Sequence, residues 1–333
     1  MHPNGILIGL YVDDLLVCAR EKQGIDWFKQ QFGGTFKTKD LGEAKKILGM
    51  RITRDRPART IEIDQQGYIE RFLQEEGMLT DSIKPKLTLI NGYSQLRLSD
   101  SHDTRVDGKA YQRQIGNLLY AMINTRPDIA FAVGKLSQYM SDPAEHHQSS
   151  VKQVMRYIRS TAAFRLRYGL SEHTTLIGYA DADYAADRTD RKSTLGNVFL
   201  FAGGAISWRS TKQRSVATST TEAKYVSLLT SAKQAIWLAQ LLRDIGYEKY
   251  IGVDKRTVKL LGDNQSAISL TKNPQVHERS KHIDVAYHHI RDLAESRLID
   301  LSYTQSSSML ADGLTKPLQH QQFREFVKGL GLG

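Results

Sequence analysis

Four acidic residues stand in settings that suit joint chemistry. Asp181 closes an extended apolar stretch in Gly178-Tyr179-Ala180-Asp181-Ala182-Asp183. Glu222 lies in Ser219-Thr220-Thr221-Glu222-Ala223-Lys224-Tyr225, at the start of a long helical pattern. Asp263 follows an apolar run at 258–261, in Gly262-Asp263-Asn264-Gln265-Ser266-Ala267, and Asp312 stands in Leu310-Ala311-Asp312-Gly313-Leu314-Thr315-Lys316. Two strand ends and two helix starts can converge on one point. Carboxylates gathered there repel unless hard cations lie between them, which is the requirement for phosphodiester hydrolysis with two metal ions about 3.5–4 Å apart. A second pair, Asp13 and Asp14, stands near the opposite end of the chain in Tyr11-Val12-Asp13-Asp14.

Each acid also has a structural reading. Ser219-x-x-Glu222 fits a capping box, and from that tetrad alone capping is favoured for Glu222. Asp263-Asn264 fits a strand-to-helix turn with an N-cap. Asp312 could complement a helix dipole. A calcium loop beginning at Asp181 fails, because the sixth position is Ala186 rather than Gly and the twelfth is Lys192 rather than Glu. Asp181, on a strand beside a sheet partner, is the expected ligand and Asp183 a structural acid. Singly the four acids say little; their order on alternating strands and helices says much more.

The elements that must position them follow from periodicity. Apolar runs on either side of Asp13-Asp14 predict a hairpin. Helices are expected over 25–32, 67–76, 109–124, 128–140 and 144–160, a turn and strand over 41–52 and a strand over 60–64, with 66–169 largely helical and 82–106 polar and irregular. From about 174 the period changes. Strands are expected at 176–181, 194–201, 205–209, 258–261 and 298–303. Between and after them fall helices at 220–245, closed by Gly246, at 264–271 and at 283–296, and a last helix opening at 309–315. This order describes a mixed α/β sheet covered by helices.

Composition sets bounds. The chain has 333 residues, 40% of them hydrophobic, and a formal net charge of +10. No apolar run approaches the ~20 residues of a membrane span, and no signal-peptide pattern opens the chain. The single cysteine, Cys18, excludes an intrachain disulfide framework and points to an intracellular, reducing location. The basic excess suits a polyanionic partner.

Residues 173–320 resemble the ribonuclease H domain of copia-type LTR retrotransposons. The resemblance is carried by Tyr179–Asp183, Asp190-Arg191-Lys192-Ser193-Thr194-Leu195-Gly196 and Ile206-Ser207-Trp208-Arg209-Ser210-Thr211-Lys212-Gln213. It continues in Ser219–Tyr225, Asp263–Ala267, Arg279-Ser280-Lys281-His282-Ile283-Asp284 and Leu310–Pro317. Upstream, Tyr11-Val12-Asp13-Asp14 is similar to the palm hairpin of a reverse transcriptase, 41–49 to its following strands, and Arg126-Pro127-Asp128-Ile129-Ala130 to its thumb and connection helices. The implied organisation is a truncated palm fragment at 1–65, a thumb or connection region at 66–172, a ribonuclease H domain at 173–320 and a C-terminal tail at 321–333.

By that resemblance Asp181, Glu222, Asp263 and Asp312 are the ribonuclease H carboxylates and hold two Mg2+ ions, while Asp13 and Asp14 are metal ligands of a polymerase remnant. The implied substrate is the RNA strand of an RNA–DNA hybrid, recognised by shape and 2′-hydroxyls. Template–primer and the upstream part of the Pol polyprotein are implied partners, with a cytoplasmic or virus-like-particle location. Arg209, Lys212, Arg191, Lys192, Arg188 and Arg214 are candidates for phosphate contact, Arg209 and Lys212 foremost. The family's mobile histidine has no counterpart in the loop at 305–308, and His282 is read as a helix-terminal or core histidine. A palm carboxylate expected upstream of Asp13 is missing, so the polymerase part is expected to be incomplete and inactive alone. The rival readings are a non-catalytic nucleic-acid-binding remnant, a polymerase completed by an upstream segment, and an integrase-like nuclease. The last is disfavoured by the helix-borne Glu222.

Overall fold

A computed structural model describes residues 5–89, 96–169, 174–187, 189–252, 254–272 and 289–333. Strands β1 (Ile6–Tyr11) and β2 (Asp14–Ala19) form the expected hairpin, paired from Ile6↔Ala19 to Tyr11↔Asp14. The tight turn holds Val12 at φ 51°, an unfavourable conformation for a β-branched residue. After α1 (Lys22–Thr35) come β3 (Lys46–Ile47), β4 (Met50–Asp55) and β5 (Thr60–Asp64), then helices α2 (Gln66–Glu75), α3 (Gly108–Asn124), α4 (Ala130–Leu136) and α5 (Glu145–Ser160). The helix expected at 128–140 is split, with 3-10 turns at Pro127–Ile129 and Ser137–Tyr139 flanking α4.

One strand was hidden within the region read as helical. β6 (Leu166–Gly169) pairs antiparallel with β5 and completes a sheet of order β3-β4-β5-β6. Four residues are too few for periodicity to separate strand from helix. The pairing joins chain segments on either side of residues 65 and 66 in one sheet.

The second half forms a five-stranded mixed sheet. β7 (Ile177–Asp183), β8 (Thr194–Phe201) and β9 (Gly204–Lys212) make an antiparallel meander. α6 (Thr220–Asp244) crosses over to β10 (Val258–Gly262), α7 (Gln265–Lys272) follows, and β11 (Ile299–Tyr303) closes the order β11-β10-β7-β8-β9. β10 runs parallel to both β7 and β11. α6 stops at Gly246, φ 72°, where Tyr247 N donates to Leu242 O at 2.7 Å, the six-to-one bond of a Schellman motif. Residues 283–288 of the helix expected at 283–296 lie outside the described residues, and 289–295 are helical.

Two corrections concern the C-terminal end. The helix expected to open at 309–315 is a 3-10 turn, Leu310–Leu314, and Pro317 follows two residues after the Thr315 cap, where it cannot continue a helix. Residues 321–333, expected as a tail, instead belong to the helix His320–Gly329 and a docked terminus. Phe323, Phe326, Val327 and Leu330 are buried at the i, i+3, i+4, i+7 spacing of an amphipathic helix. Arg165 N donates to Gly333 O, Arg167 N to Gly331 O and Ala205 N to Leu330 O.

The five-stranded sheet separates two cores. On one face α6, α7, β10 and β11 bury Tyr225, Leu228, Ala232, Leu238, Leu260 and Leu301 together with Phe199 and Ala180. On the other, Val198, Ala205 and Leu314 join a larger core from α2 to α5 and the C-terminal helix. The helical region and the sheet therefore pack as one unit across residue 172.

Candidate metal centre

Strand alternation sends Ala180 and Ala182 to one face of the sheet and Asp181 to the other, beside Tyr179. Directly opposite Asp181 in β8 is Gly196. A Cβ on Gly196 would meet Thr315 Cγ2 at 2.6 Å and Ala311 O at 3.0 Å. The glycine thus allows the 310–314 turn to lie on the sheet beside Asp181. From there Thr315 Oγ1 donates to Asp181 Oδ2 at 2.6 Å. Asp263 comes off the end of β10. The capping role falls to its neighbour, since Asn264 Oδ1 accepts from Ala267 N at 2.7 Å. Asp263 is left to face the centre, where Ser306 Oγ donates to its Oδ2 at 3.2 Å.

The result is a group of three. One carboxylate oxygen from each of Asp181, Asp263 and Asp312 lies within 4.8 Å of the others. The donors are all hard oxygens, the set a hard divalent cation takes, and the buried Asp312 Oδ1 has no hydrogen-bond partner among the described residues. The residues present fit a divalent metal ion.

Glu222 does not join this group in the structure. Ser219 Oγ accepts from Glu222 N at 3.1 Å, and the Glu222 carboxylate turns back to accept from Thr218 N at 2.7 Å and from the Thr218 hydroxyl. This is close to the capping-box geometry, shifted by one residue. Lys224 meets the aspartates instead. Its Nζ pairs with Asp181 Oδ1 at 3.0 Å and hydrogen-bonds Asp263 Oδ1. Residues two apart on a helix point away from each other, so an α6 start that directs Lys224 at the aspartates directs Glu222 elsewhere.

The charges settle accordingly. Burial opposes ionisation of Asp181, but Lys224 and the Thr315 hydroxyl outweigh it and hold its carboxyl below the ordinary range. Burial likewise works against the Lys224 ammonium and is outweighed by Asp181 and Asp263, so its pKa rises. Asp312 goes the other way: burial, helped by the charge of Asp181, lifts it to about 6 despite Lys316 at 2.8 Å. Asp183, half-buried, is also raised, chiefly by burial.

The remaining candidates lie elsewhere. Asp13 and Asp14 are exposed at the hairpin turn. Among the described residues they belong to no group of three possible ligands. Lys212 is engaged by Asp187 at 2.7 Å and Asp190 at 3.0 Å, and Lys192 lies 3.8 Å from Asp190. Arg191, Arg209 and Arg214 are exposed. Arg188 and His282 lie outside the described residues. Sequence reasoning missed Lys224, Thr315, Ser306 and Lys316 as members of the centre. Three of these sit inside motifs quoted for their acids, but spacing along a chain does not place the Lys224 ammonium against Asp263, 39 positions on, or the Thr315 hydroxyl against Asp181, 134 positions back.

Comparison with known proteins adds to this geometry. The reverse transcriptase (RNA-dependent DNA polymerase) family matches residues 2–90. The retrovirus-related Pol polyprotein from transposon TNT 1-94 of Nicotiana tabacum is 40% identical over 327 residues, covering 96% of this chain and 24% of that protein. A transposon Ty5-1 protein of Saccharomyces cerevisiae is 32% identical over 223 residues, covering 67% of this chain and 71% of that protein. Among solved structures, the foamy viral protease-reverse transcriptase dRH in complex with ds DNA matches with a TM-score of 0.51 at 12% identity, over 90% of this chain and 46% of that one. The chain spans about a quarter of the length of the tobacco relative.

Proposed function

Because this chain belongs to the retrovirus-related Pol polyproteins of copia-type transposons, we propose that its aspartate centre hydrolyses the RNA strand of RNA–DNA hybrids in a Mg2+-dependent, endonucleolytic reaction that leaves 5′-phosphate and 3′-hydroxyl ends. The observation that carries this reading is the convergence of Asp181, Asp263 and Asp312 within 4.8 Å. Bound divalent ions would supply the charge that activates the attacking water and stabilises the leaving oxygen.

The chain's own residues hold that centre. Thr315 fixes the Asp181 carboxylate, Ser306 orients Asp263, and the 310–314 turn presents Asp312. Glu222 is the proposed fourth carboxylate, on release from Thr218. Exposed Arg191, Arg209 and Arg214 are the proposed phosphate contacts; such contacts set position without reading sequence. Lys212 has a structural role in this reading, between Asp187 and Asp190. The proposed partners are the hybrid, template–primer and the upstream part of the polyprotein, in the cytoplasm. No helix among the described residues is long and apolar enough to cross a membrane.

Cleavage of a labelled RNA–DNA hybrid with Mg2+ and with EDTA tests the proposal. Metal-dependent cutting that Asp181→Asn abolishes is expected; full activity of that variant removes the proposed site. One observation favours a second reading, a remnant that binds without cutting: the Lys224 ammonium lies between two of the aspartates. Hybrid binding by folded protein with no cutting in Mg2+ would select it.

A further inference from the structure

We infer that Lys224 is a built-in competitor for the divalent cation of the aspartate centre: its ammonium takes the seat shared by Asp181 and Asp263, and a metal ion enters only when it withdraws. The inference rests on the metal-centre reading above and concerns how that centre is loaded. Three observations carry it. Lys224 Nζ touches Asp181 Oδ1 at 3.0 Å and also bonds Asp263 Oδ1. Both oxygens belong to acids of the 4.8 Å group. The side chains involved are largely buried, 17% exposed for Lys224, 2% for Asp181 and 8% for Asp263, so water does little to screen the attraction.

An ammonium and a divalent ion cannot share these oxygens. Mg2+ needs its oxygens at about 2.0–2.1 Å in near-octahedral array. Its charge would then lie against that of Lys224 in a poorly screened pocket, and the repulsion would be severe. The lysine stem has four rotatable carbons and can swing clear. The apparent metal affinity is therefore the intrinsic affinity reduced by the fraction of molecules in which the lysine has left.

Lys316 supplies an internal comparison. It carries the same charge near the same centre, 2.8 Å from Asp312. Among the described residues its ion pair is with that one carboxylate, and its side chain is 41% exposed. Removing Lys316 changes the local charge without vacating the seat between Asp181 and Asp263.

The test is Mn2+ binding, read from the electron paramagnetic resonance signal of free Mn2+, for the unaltered chain, Lys224→Gln, Lys224→Met and Lys316→Gln. Folding of each variant is checked by circular dichroism, and the Met variant keeps the aliphatic bulk if Gln disturbs packing. Both Lys224 variants are expected to bind Mn2+ at least about tenfold more tightly, within the usual range of coupling between exclusive states, and Lys316→Gln to gain clearly less. In EDTA the Lys224 variants are expected to melt below the unaltered chain, and Mn2+ to raise their melting temperature further than it raises that of the unaltered chain. Equal gains from Lys224 and Lys316 variants would reduce the effect to general charge and overturn the role given to Lys224. Unchanged or weaker binding in the Lys224 variants would overturn it too, while leaving the metal centre standing. Absence of Mn2+ binding in all four proteins would overturn the metal centre and the competitor together.

Discussion

Asp312 carries an unmet electrostatic demand in the site. Among the described residues its buried Oδ1 has no hydrogen-bond partner, and burial lifts its pKa from 3.8 to about 6. The sign of the consequence follows from proton counting. Between those two values the folded chain holds a proton that the unfolded chain has lost, so stability falls as pH rises through the window. In EDTA, urea unfolding of the unaltered protein should lose stability relative to Asp312→Asn between about pH 4 and pH 6, and the difference should level off above that. Parallel pH profiles for the two proteins would contradict the raised value. Bound divalent metal is expected to abolish the difference by stabilising the ionised form. The same unmet demand is what makes a carboxylate here ready for a cation.

Elements place these residues through close approach. Gly196 is where β8 lets the 310–314 turn come down beside Asp181, and any Cβ there meets Thr315 and the backbone of Ala311. Gly196→Ala should cost about 1–3 kcal/mol, the range for overpacked sites, and should lower hybrid cleavage by displacing Asp312 and Thr315. Gly116, within α3, has, beyond its own helix backbone, nothing within 4 Å of its would-be Cβ among the described residues. Gly116→Ala should therefore be neutral or stabilising by about 0.5–1 kcal/mol. Urea titrations of the pair decide the point, and equal effects would remove the role given to Gly196. A second close approach backs the turn from behind, where a Cβ on Gly313 would lie 2.5 Å from Phe326 of the C-terminal helix.

In the molecule as a whole, that helix ties the centre to the rest of the fold. Phe326 is 3% exposed in a core that also takes Val198 and Leu314 from the sheet side and Leu118, Val133 and Val154 from the helices. Phe326→Ala should cost about 3–5 kcal/mol. It should also reduce cleavage, because the turn bearing Asp312 loses its backing. Unfolding followed by tryptophan fluorescence and by circular dichroism should move together in this variant, as expected of one shared core. Separate transitions would show that the sheet and the helical region unfold independently. The buried pair of Arg126 and Asp128, 2.7 Å apart with Tyr157 and Thr161 completing the network, serves the same helical core and lies outside the centre.

Much of this was legible along the chain. The β1–β2 hairpin, the five strands of the mixed sheet, the long α6 with its glycine stop, and Asp181, Asp263 and Asp312 as partners were readable. Each depends on local periodicity, capping chemistry or a motif with its acid inside it. β6 was not readable, because four residues carry too little period. The C-terminal helix, expected as a tail, has its buried face in Phe323, Phe326, Val327 and Leu330. The capping reading of Glu222 and the catalytic one were both open in Ser219-x-x-Glu222, and folding turned that side chain to Thr218. Which residue of the α6 start faces the aspartates depends on the rotation of the helix against the sheet. That rotation is set by packing of Tyr225, Leu228 and Ala232 against strands far away in sequence. Local pattern names the acids of the centre; the long-range packing of α6 brings Lys224 among them.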